Sequence, residues 1–247
     1  TLAIEYKGHK DMVRSISTDK SGQYLLSGSD DGVVKIWEVN TGRCLKTIDV
    51  GDVVRCVEWC PNSALSLVLI AAGKKVILVN PNVGDKTDEV LKEAAEAAAA
   101  SPSSDIIPER VKNAIRWVEV DDEMYDKGIR LVIEHFQEAT RVTWHGKGDY
   151  FASVMPEGQS RAVVIHQLSK RRSQLPFAKS KGLVQCVLFH PIKPFLFMAT
   201  QRHVRIYDLT KQVQVKKLLT NSKWISTMAM HPLGDNLLVG TYDRKML

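Results

Sequence analysis

The chain has 247 residues, a net charge of +6 and 44% hydrophobic residues. That balance is ordinary for a globular domain. No apolar stretch reaches the roughly 18 residues that a membrane-spanning helix needs, and no signal-peptide pattern opens the chain. Four cysteines, Cys44, Cys56, Cys60 and Cys186, form no Cys-x-x-Cys pair and no zinc-finger spacing. They read as reduced core thiols. The basic excess is uneven: the acidic run Glu119-Val120-Asp121-Asp122-Glu123 offsets clusters of lysine and arginine elsewhere. A basic surface suits acidic or nucleic-acid partners.

The first 50 residues read as four strands. Gly8-His9 sits in the loop entering the innermost one, Val13 to Ser17. Gln23 to Ser27 is the second strand. Asp31-Gly32 makes a tight turn that needs a positive φ. Val33 to Trp37 is the third, and Cys44 to Ile48 the fourth. A Gly-His pair, a Ser-Gly-Ser-Asp stretch and a late Trp at this spacing are the signature of a WD repeat, one blade of a β-propeller. In that pattern His9, Ser27, Asp31 and Trp37 form a hydrogen-bonded chain inside the blade, so they are structural candidates.

The innermost-strand frame recurs, ending at Asp19, Cys60, His145, His190 and His231, with gaps of 41, 85, 45 and 41 residues. One blade takes about 40–45 residues, so the long gap is one period plus an insertion. The expected units are 1–50, 51–80 with 115–120, 129–177, 178–219 and 220–247, with the insertion at 82–114. Leu65 to Ala72 reads as a buried strand. Within the insertion, Thr87 to Ala100 reads as a helix with Thr87 as its cap and two acids in its first turn. Ser101-Pro102 stops it, and Pro102, Ser103 and Ser104 look like a flexible linker. Trp117 marks the return to the sheet, and Asp121 to Asp126 a charged loop. The fifth unit stops early. The fold class is therefore all-β: about four and a half blades of a larger WD-repeat propeller, with one helical or disordered insertion. More chain is expected after Leu247.

Two surfaces stand out. The second residue of the frame reads Arg14, Arg55, Arg141, Gln185 and Ser226. Equivalent positions in a propeller form a ring, so Arg14, Arg55, Arg141 and Gln185 are a candidate cationic rim at the channel mouth, suited to forked pairing with carboxylate or phosphate. The competing reading is that each Arg serves a neighbouring blade's acid or carbonyl. The second surface is Lys170-Arg171-Arg172 with Lys179 and Lys181, a candidate phosphate-following edge or a solvated edge strand kept apart by charge. Lys74-Lys75 and Lys216-Lys217 are weaker versions. No nucleophile elbow, phosphate-cradling Gly-rich loop or His-Glu-x-x-His occurs, so the chain reads as non-enzymatic, with no metal and no cofactor. His145, His190 and His231 read as strand-end turn residues.

Beyond the repeat, several strings are specific. Thr143-Trp144-His145-Gly146-Lys147-Gly148-Asp149-Tyr150, Ile165 to Gln174, Pro176-Phe177, Pro194-Phe195, Thr200-Gln201-Arg202, Val204-Arg205, Lys216-Lys217-Leu218 and Lys223-Trp224 resemble the block-of-proliferation family of ribosome-biogenesis proteins, called Erb in yeasts. The resemblance is weakest from about Asn82 to Ile115. It implies a seven-bladed C-terminal propeller acting in large (60S) ribosomal subunit maturation and pre-rRNA processing, in the nucleus, nucleolus and nucleoplasm. It implies a trimeric complex with pescadillo and a second WD-repeat protein docked on the propeller, within the pre-60S particle and with no membrane partner. It implies no catalytic residues. Two other readings compete. One is a direct pre-rRNA-binding module using Lys170, Arg171 and Arg172. The other is a generic WD-repeat substrate receptor, as in a ubiquitin ligase.

Overall fold

The computed structural model describes residues 3–83, 87–100, 107–177 and 182–247, with the Thr87 side chain outside that set. The expected stop and linker at Ser101 to Ser104, the Thr87 cap, and Lys179 and Lys181 all lie outside the described residues.

The first sheet has the meander order β1 (Val13–Thr18), β2 (Tyr24–Ser29), β3 (Val33–Glu38), β4 (Cys44–Asp49). The second holds β5 (Val54–Trp59), β6 (Val68–Ala72) and β7 (Lys75–Val79). The chain then leaves the sheet through α1 (Thr87–Ala100) and α2 (Glu109–Lys112), and returns as β8 (Ile115–Val118). After α3 (Asp122–Asp126), β9 (Ile129–His135) completes the order β5-β6-β7-β9-β8. The third sheet is β10 (Arg141–Trp144), β11 (Tyr150–Val154), β12 (Val163–Gln167) and β13 (Arg172–Gln174), with a 3-10 turn at Pro156–Arg161. The fourth is β14 (Cys186–Phe189), β15 (Phe195–Ala199), β16 (His203–Asp208) and β17 (Val213–Leu219). A fifth begins with β18 (Ile225–Met230) and β19 (Leu237–Thr241), and Leu247 bonds back to Val239 as its next strand starts. This is a partial WD-repeat propeller.

The second sheet departs from the expected boundaries. The sequence places 115–120 in the second unit and 129 onward in the third. Instead β9 pairs with β7 as the fourth strand, from Lys75↔Glu134 to Val79↔Ile129, and β8 adds a fifth strand outside it. The reason is in the side chains: Leu131 and Ile133 face the third sheet, Ile129 and Val132 face the first across a bulge at Arg130, and all four are buried. A strand buried on both faces belongs inside a sheet stack, whereas β8 buries only Ile115 fully. The expected charged loop at Asp121 to Asp126 is the short helix α3. Asp121 caps it by accepting from the Met124 N–H at 2.8 Å.

The core is a series of seams, each filled by two adjacent sheets. Strand β6 shows how: Val68 and Ile70 face the first sheet with Leu26, Ile36 and Ile48. Leu67, Leu69 and Ala71 face the third with Val142, Phe151 and Val164. Period-two alternation thus feeds both seams from one strand. Ala152, Val154 and Ile165 meet Val187, Leu196 and Met198 in the next seam. Cys186, Phe197 and Val204 meet Ile225 and Val239 in the last. Packing is close enough to dictate residue size. A Cβ on Gly28 would fall 2.4 Å from Val54 Cγ1 and 2.8 Å from Val57 Cγ1, so β5 sits where only glycine leaves room.

The helix α1 is tied to the second blade. Arg130 donates to Asp88 from Nε at 2.7 Å and Nη2 at 3.1 Å, and Asn80 Nδ2 adds a third donor at 2.9 Å. The Arg130 bond leads the causes that hold the Asp88 carboxyl below its ordinary range. Replacing Arg130 with Met keeps the bulk and strips Asp88 of its charge partner. The expected loss is about 1–2 kcal/mol, read by urea unfolding, together with increased amide exchange in α1.

Candidate functional site

Inside the first blade His9, Ser27, Asp31 and Trp37 form one connected chain. Trp37 Nε1 donates to Ser27 Oγ at 2.8 Å, and Ser27 Oγ meets His9 Nε2 at 2.7 Å. His9 Nδ1 lies 3.0 Å from Asp31 Oδ2, which also accepts the Lys10 N–H at 2.8 Å. Burial opposes ionisation of Asp31. The bonds from the Lys10 N–H, His9 and the Val33 N–H outweigh it and bring the carboxyl down to about 2. Every polar atom of this chain is committed to the fold.

A second chain crosses from the second blade to the third, and the sequence reading missed it. His135 Nε2 meets Ser153 Oγ at 2.8 Å, and the same hydroxyl meets His166 Nε2 at 2.9 Å. His166 Nδ1 meets Ser173 Oγ at 2.7 Å, and Trp117 Nε1 donates to that hydroxyl at 2.9 Å. Burial pushes His135 down to about 4 and His166 well below its ordinary value, so both are neutral near pH 7. The available signal was position: Ile165-His166 stands where the first repeat has Ile36-Trp37.

The innermost strands carry a third arrangement, between blades. Ser15 Oγ accepts from the Val57 N–H at 3.0 Å, and Ser17 Oγ from the Trp59 N–H at 2.9 Å. Cys56 Sγ lies 3.6 Å from the Val142 carbonyl. At the place equivalent to Ser17 the second blade has Glu58. Its Oε1 accepts from the Trp144 N–H at 2.8 Å and from Thr143 Oγ1 at 3.2 Å, while the Trp144 indole donates to the Glu58 carbonyl at 3.2 Å. Burial raises the Glu58 carboxyl to about 7 against those bonds.

The expected rim residues do not form a single ring. Arg14 and Arg55 each occupy a bulge, between Val13 and Ser15 and between Val54 and Cys56. In the third blade Arg141 is within the ladder, paired with Val154. Its row is that of Ser15, Cys56, Cys186 and Thr227, which pair with Gly28, Ala71, Ala199 and Gly240. Thr140, not Arg141, matches Gln185: each donates its N–H to the last residue of the next strand, Val154 and Ala199. Without a bulge the third blade is one residue shorter here, and a one-residue shift moves a side chain to another row.

Charge separates these arginines as well. Arg14 Nε donates to Asp30 at 2.8 and 2.9 Å; this bond leads the causes that raise Arg14 and lower Asp30. Arg55 Nε donates to Glu138 at 2.8 Å, and its Nη1 lies 4.0 Å from Asp30. Two arginines and two carboxylates therefore form a balanced chain. Among the described residues Arg141 donates to one partner, the Ser226 carbonyl at 3.4 Å. It lies close enough to Cys56 and Cys186 to pull both thiols down, although burial wins and Cys186 stands at about 11.

Lys170 and Arg171 are exposed in the turn between β12 and β13, with Arg171 at φ 45°. Arg171 and Arg172 border a cavity of about 270 Å³ whose floor is Ile107, Val111, Ile115 and Trp117. Among the described residues, no group of three or more His, Cys, Asp or Glu could hold a metal ion, and no helix is long and apolar enough to cross a membrane.

Fold and frame together define a WD-repeat chain, and residues 1–38 match the family model "WD domain, G-beta repeat". The chain is 59% identical over 246 residues to a protein of Drosophila virilis named "Ribosome biogenesis protein BOP1 homolog", with 99% of this chain and 31% of that protein covered. It is 60% identical over 248 residues to the protein of the same name from Aedes aegypti, covering 98% of this chain and 28% of that one. The chain spans about a third of the length of the curated relatives it matches. Along its length it belongs to the block-of-proliferation family.

Glu58 gives this seam a pH dependence. Its folded value of about 7 lies above the ordinary 4.5. As pH rises from 4.5 to 7 the unfolded chain ionises while the folded chain keeps the proton, so stability falls, by up to about 3 kcal/mol. Glu58→Gln keeps an acceptor for the Trp144 N–H and removes the ionisation. It should raise the thermal midpoint at pH 8 and leave it near wild type at pH 4.5. Equal destabilisation at both values would show that the carboxyl is not held neutral.

Proposed function

We propose that this chain is the propeller of a non-enzymatic scaffold in large (60S) ribosomal subunit biogenesis. It docks a second WD-repeat protein within a trimeric complex with pescadillo, and acts in the nucleolus and nucleoplasm during pre-rRNA processing. The observation that carries the reading is the similarity, near 59% over 99% of the chain, to proteins named for ribosome biogenesis. The geometry agrees with a holding role. His9, Ser27, His135, Ser153, His166 and Glu58 are all used inside blades or across seams. That construction makes a stiff surface, and stiffness lowers the entropy lost on docking.

Among the rim residues, Arg141 is the one to test first. Among the described residues it has no carboxylate partner, whereas Arg14 and Arg55 are already paired. Full-length protein carrying Arg141→Glu should bind the WD-repeat partner roughly tenfold more weakly, about 1.4 kcal/mol. Arg141→Gln retains a donor for the Ser226 carbonyl and controls for folding. Arg55→Glu should weaken binding less, because Glu138 and Asp30 already neutralise that position. Calorimetric titration with matched thermal melts reads all three. Wild-type affinity in folded Arg141→Glu would move the docking surface away from the channel mouth.

A further inference from the structure

The outer edge of the second and third blades holds a groove that the docking role does not use. Strands β8 and β13 are the outermost of their sheets. The cavity of about 270 Å³ between them therefore lies on the circumference, away from the innermost strands. Its floor is apolar, formed by Ile107, Val111, Ile115 and Trp117. The fold fixes that floor from both sides. Arg110 on α2 donates from Nη2 to the carbonyls of Ser160 at 2.7 Å and Phe177 at 3.2 Å, and Arg161 Nη1 donates to the Asn113 carbonyl at 3.1 Å. Trp117 is pinned to β13 through Ser173. Ile107 nevertheless stays 49% exposed, so apolar surface is left open where the two blades are joined. The charged side chains that line the groove, Lys112, Arg171 and Arg172, are all cationic. Lys112 shares its charge with Glu109 at 3.5 Å. Arg171 is exposed, and no carboxylate among the described residues pairs with it.

The backbone at Arg171 is a second observation. The turn before the outermost strand reads Glu38 to Arg43 in the first blade, Gln167 to Arg172 in the third and Asp208 to Val213 in the fourth. The fifth residue of each has a positive φ: 70° at Gly42, 45° at Arg171 and 54° at Gln212. Glycine is the least strained residue there, and the first blade uses it. The third blade holds a cation in its place, at the mouth of the apolar groove. The cavity is smaller than the roughly 300–1,000 Å³ of small-molecule sites, and suits one large side chain. Single-strand nucleic-acid sites stack bases on open aromatic faces. Here Trp117 is half-buried with its ring edge-on to His166, and the rest of the floor is aliphatic. A peptide with one bulky apolar residue between acids answers both the floor and the rim. We propose that this groove docks a short acidic segment of a partner protein, its apolar anchor over Ile107 and Trp117 and a flanking carboxylate on Arg171. The groove is separate from the channel mouth and does not depend on the docking role of Arg141.

The test is selection of a random twelve-residue peptide library on the full-length protein, followed by titration of the synthetic consensus peptide. The selected peptides should carry a bulky apolar residue flanked by Asp or Glu. Arg171→Gly copies the first blade's Gly42, so its thermal midpoint should equal or exceed that of wild type. It should nevertheless bind the consensus peptide roughly tenfold more weakly. Ile107→Ser, also at an exposed position, should keep the midpoint and lose about fivefold in affinity. A selection without a consensus, a consensus without acids, or wild-type affinity for the consensus peptide in both variants would overturn the assignment. So would decauridine affinity that falls in both variants while no acidic peptide is selected, since the groove would then serve nucleic acid.

Discussion

Each sheet of this chain has two apolar faces and can cover neither by itself. That constraint organises the rest. A single β-sheet of four short strands is not stable in water with both faces wet, so every blade depends on its neighbours. The structure meets the demand with one apolar seam between each pair of consecutive sheets. It then fixes the relative position of the sheets with polar bonds from one innermost strand to the main chain of the next. Ser15, Ser17, Cys56 and Glu58 do this work. Apolar contact alone is tolerant of sliding; a hydroxyl or carboxyl aimed at a particular N–H is not.

The seam between the second and third sheets is the most heavily built. It holds the Glu58 clasp, the chain from His135 to Trp117, and the extra strand β8. The returning end of the insertion also packs here, through Val111, Ala114 and Ile115. The Asp88–Arg130 pair and the edge strand give its two ends fixed attachments. The two ionisable elements of this seam respond to pH in opposite senses. Neutral His135 loses stability as pH falls from about 6.5 through 4, whereas Glu58 costs stability as pH rises toward 7.

The strand plan of the first blade was legible because its local signals agree. Gly-His, the Asp-Gly turn and the late Trp all occur at their expected spacings, and the observed strands fall within a residue or two of those read. The second blade was harder. Its fourth strand lies some 50 residues beyond its third, and nothing local says that Ile129 to His135 closes backward rather than opening the next unit. Only pairing with β7 decides it. The rim was misread for a related reason. Arg14, Arg55 and Arg141 look equivalent in a string, but a bulge present in two blades and absent in the third shifts Arg141 by one place. Bulges leave little trace in side-chain pattern.

The claim at the centre of this account is that a seam-locked propeller serves as a docking platform. The most direct measurement is a titration of the full-length protein against its WD-repeat partner and, separately, a pre-rRNA fragment, each at low and high salt. A platform of this kind should bind the protein tightly and lose little affinity in salt, because shape and buried contacts dominate. Its RNA binding should be weaker and fall steeply with salt. Partner binding that is absent, or that disappears at high salt while RNA binding is strong without the partner, would contradict it.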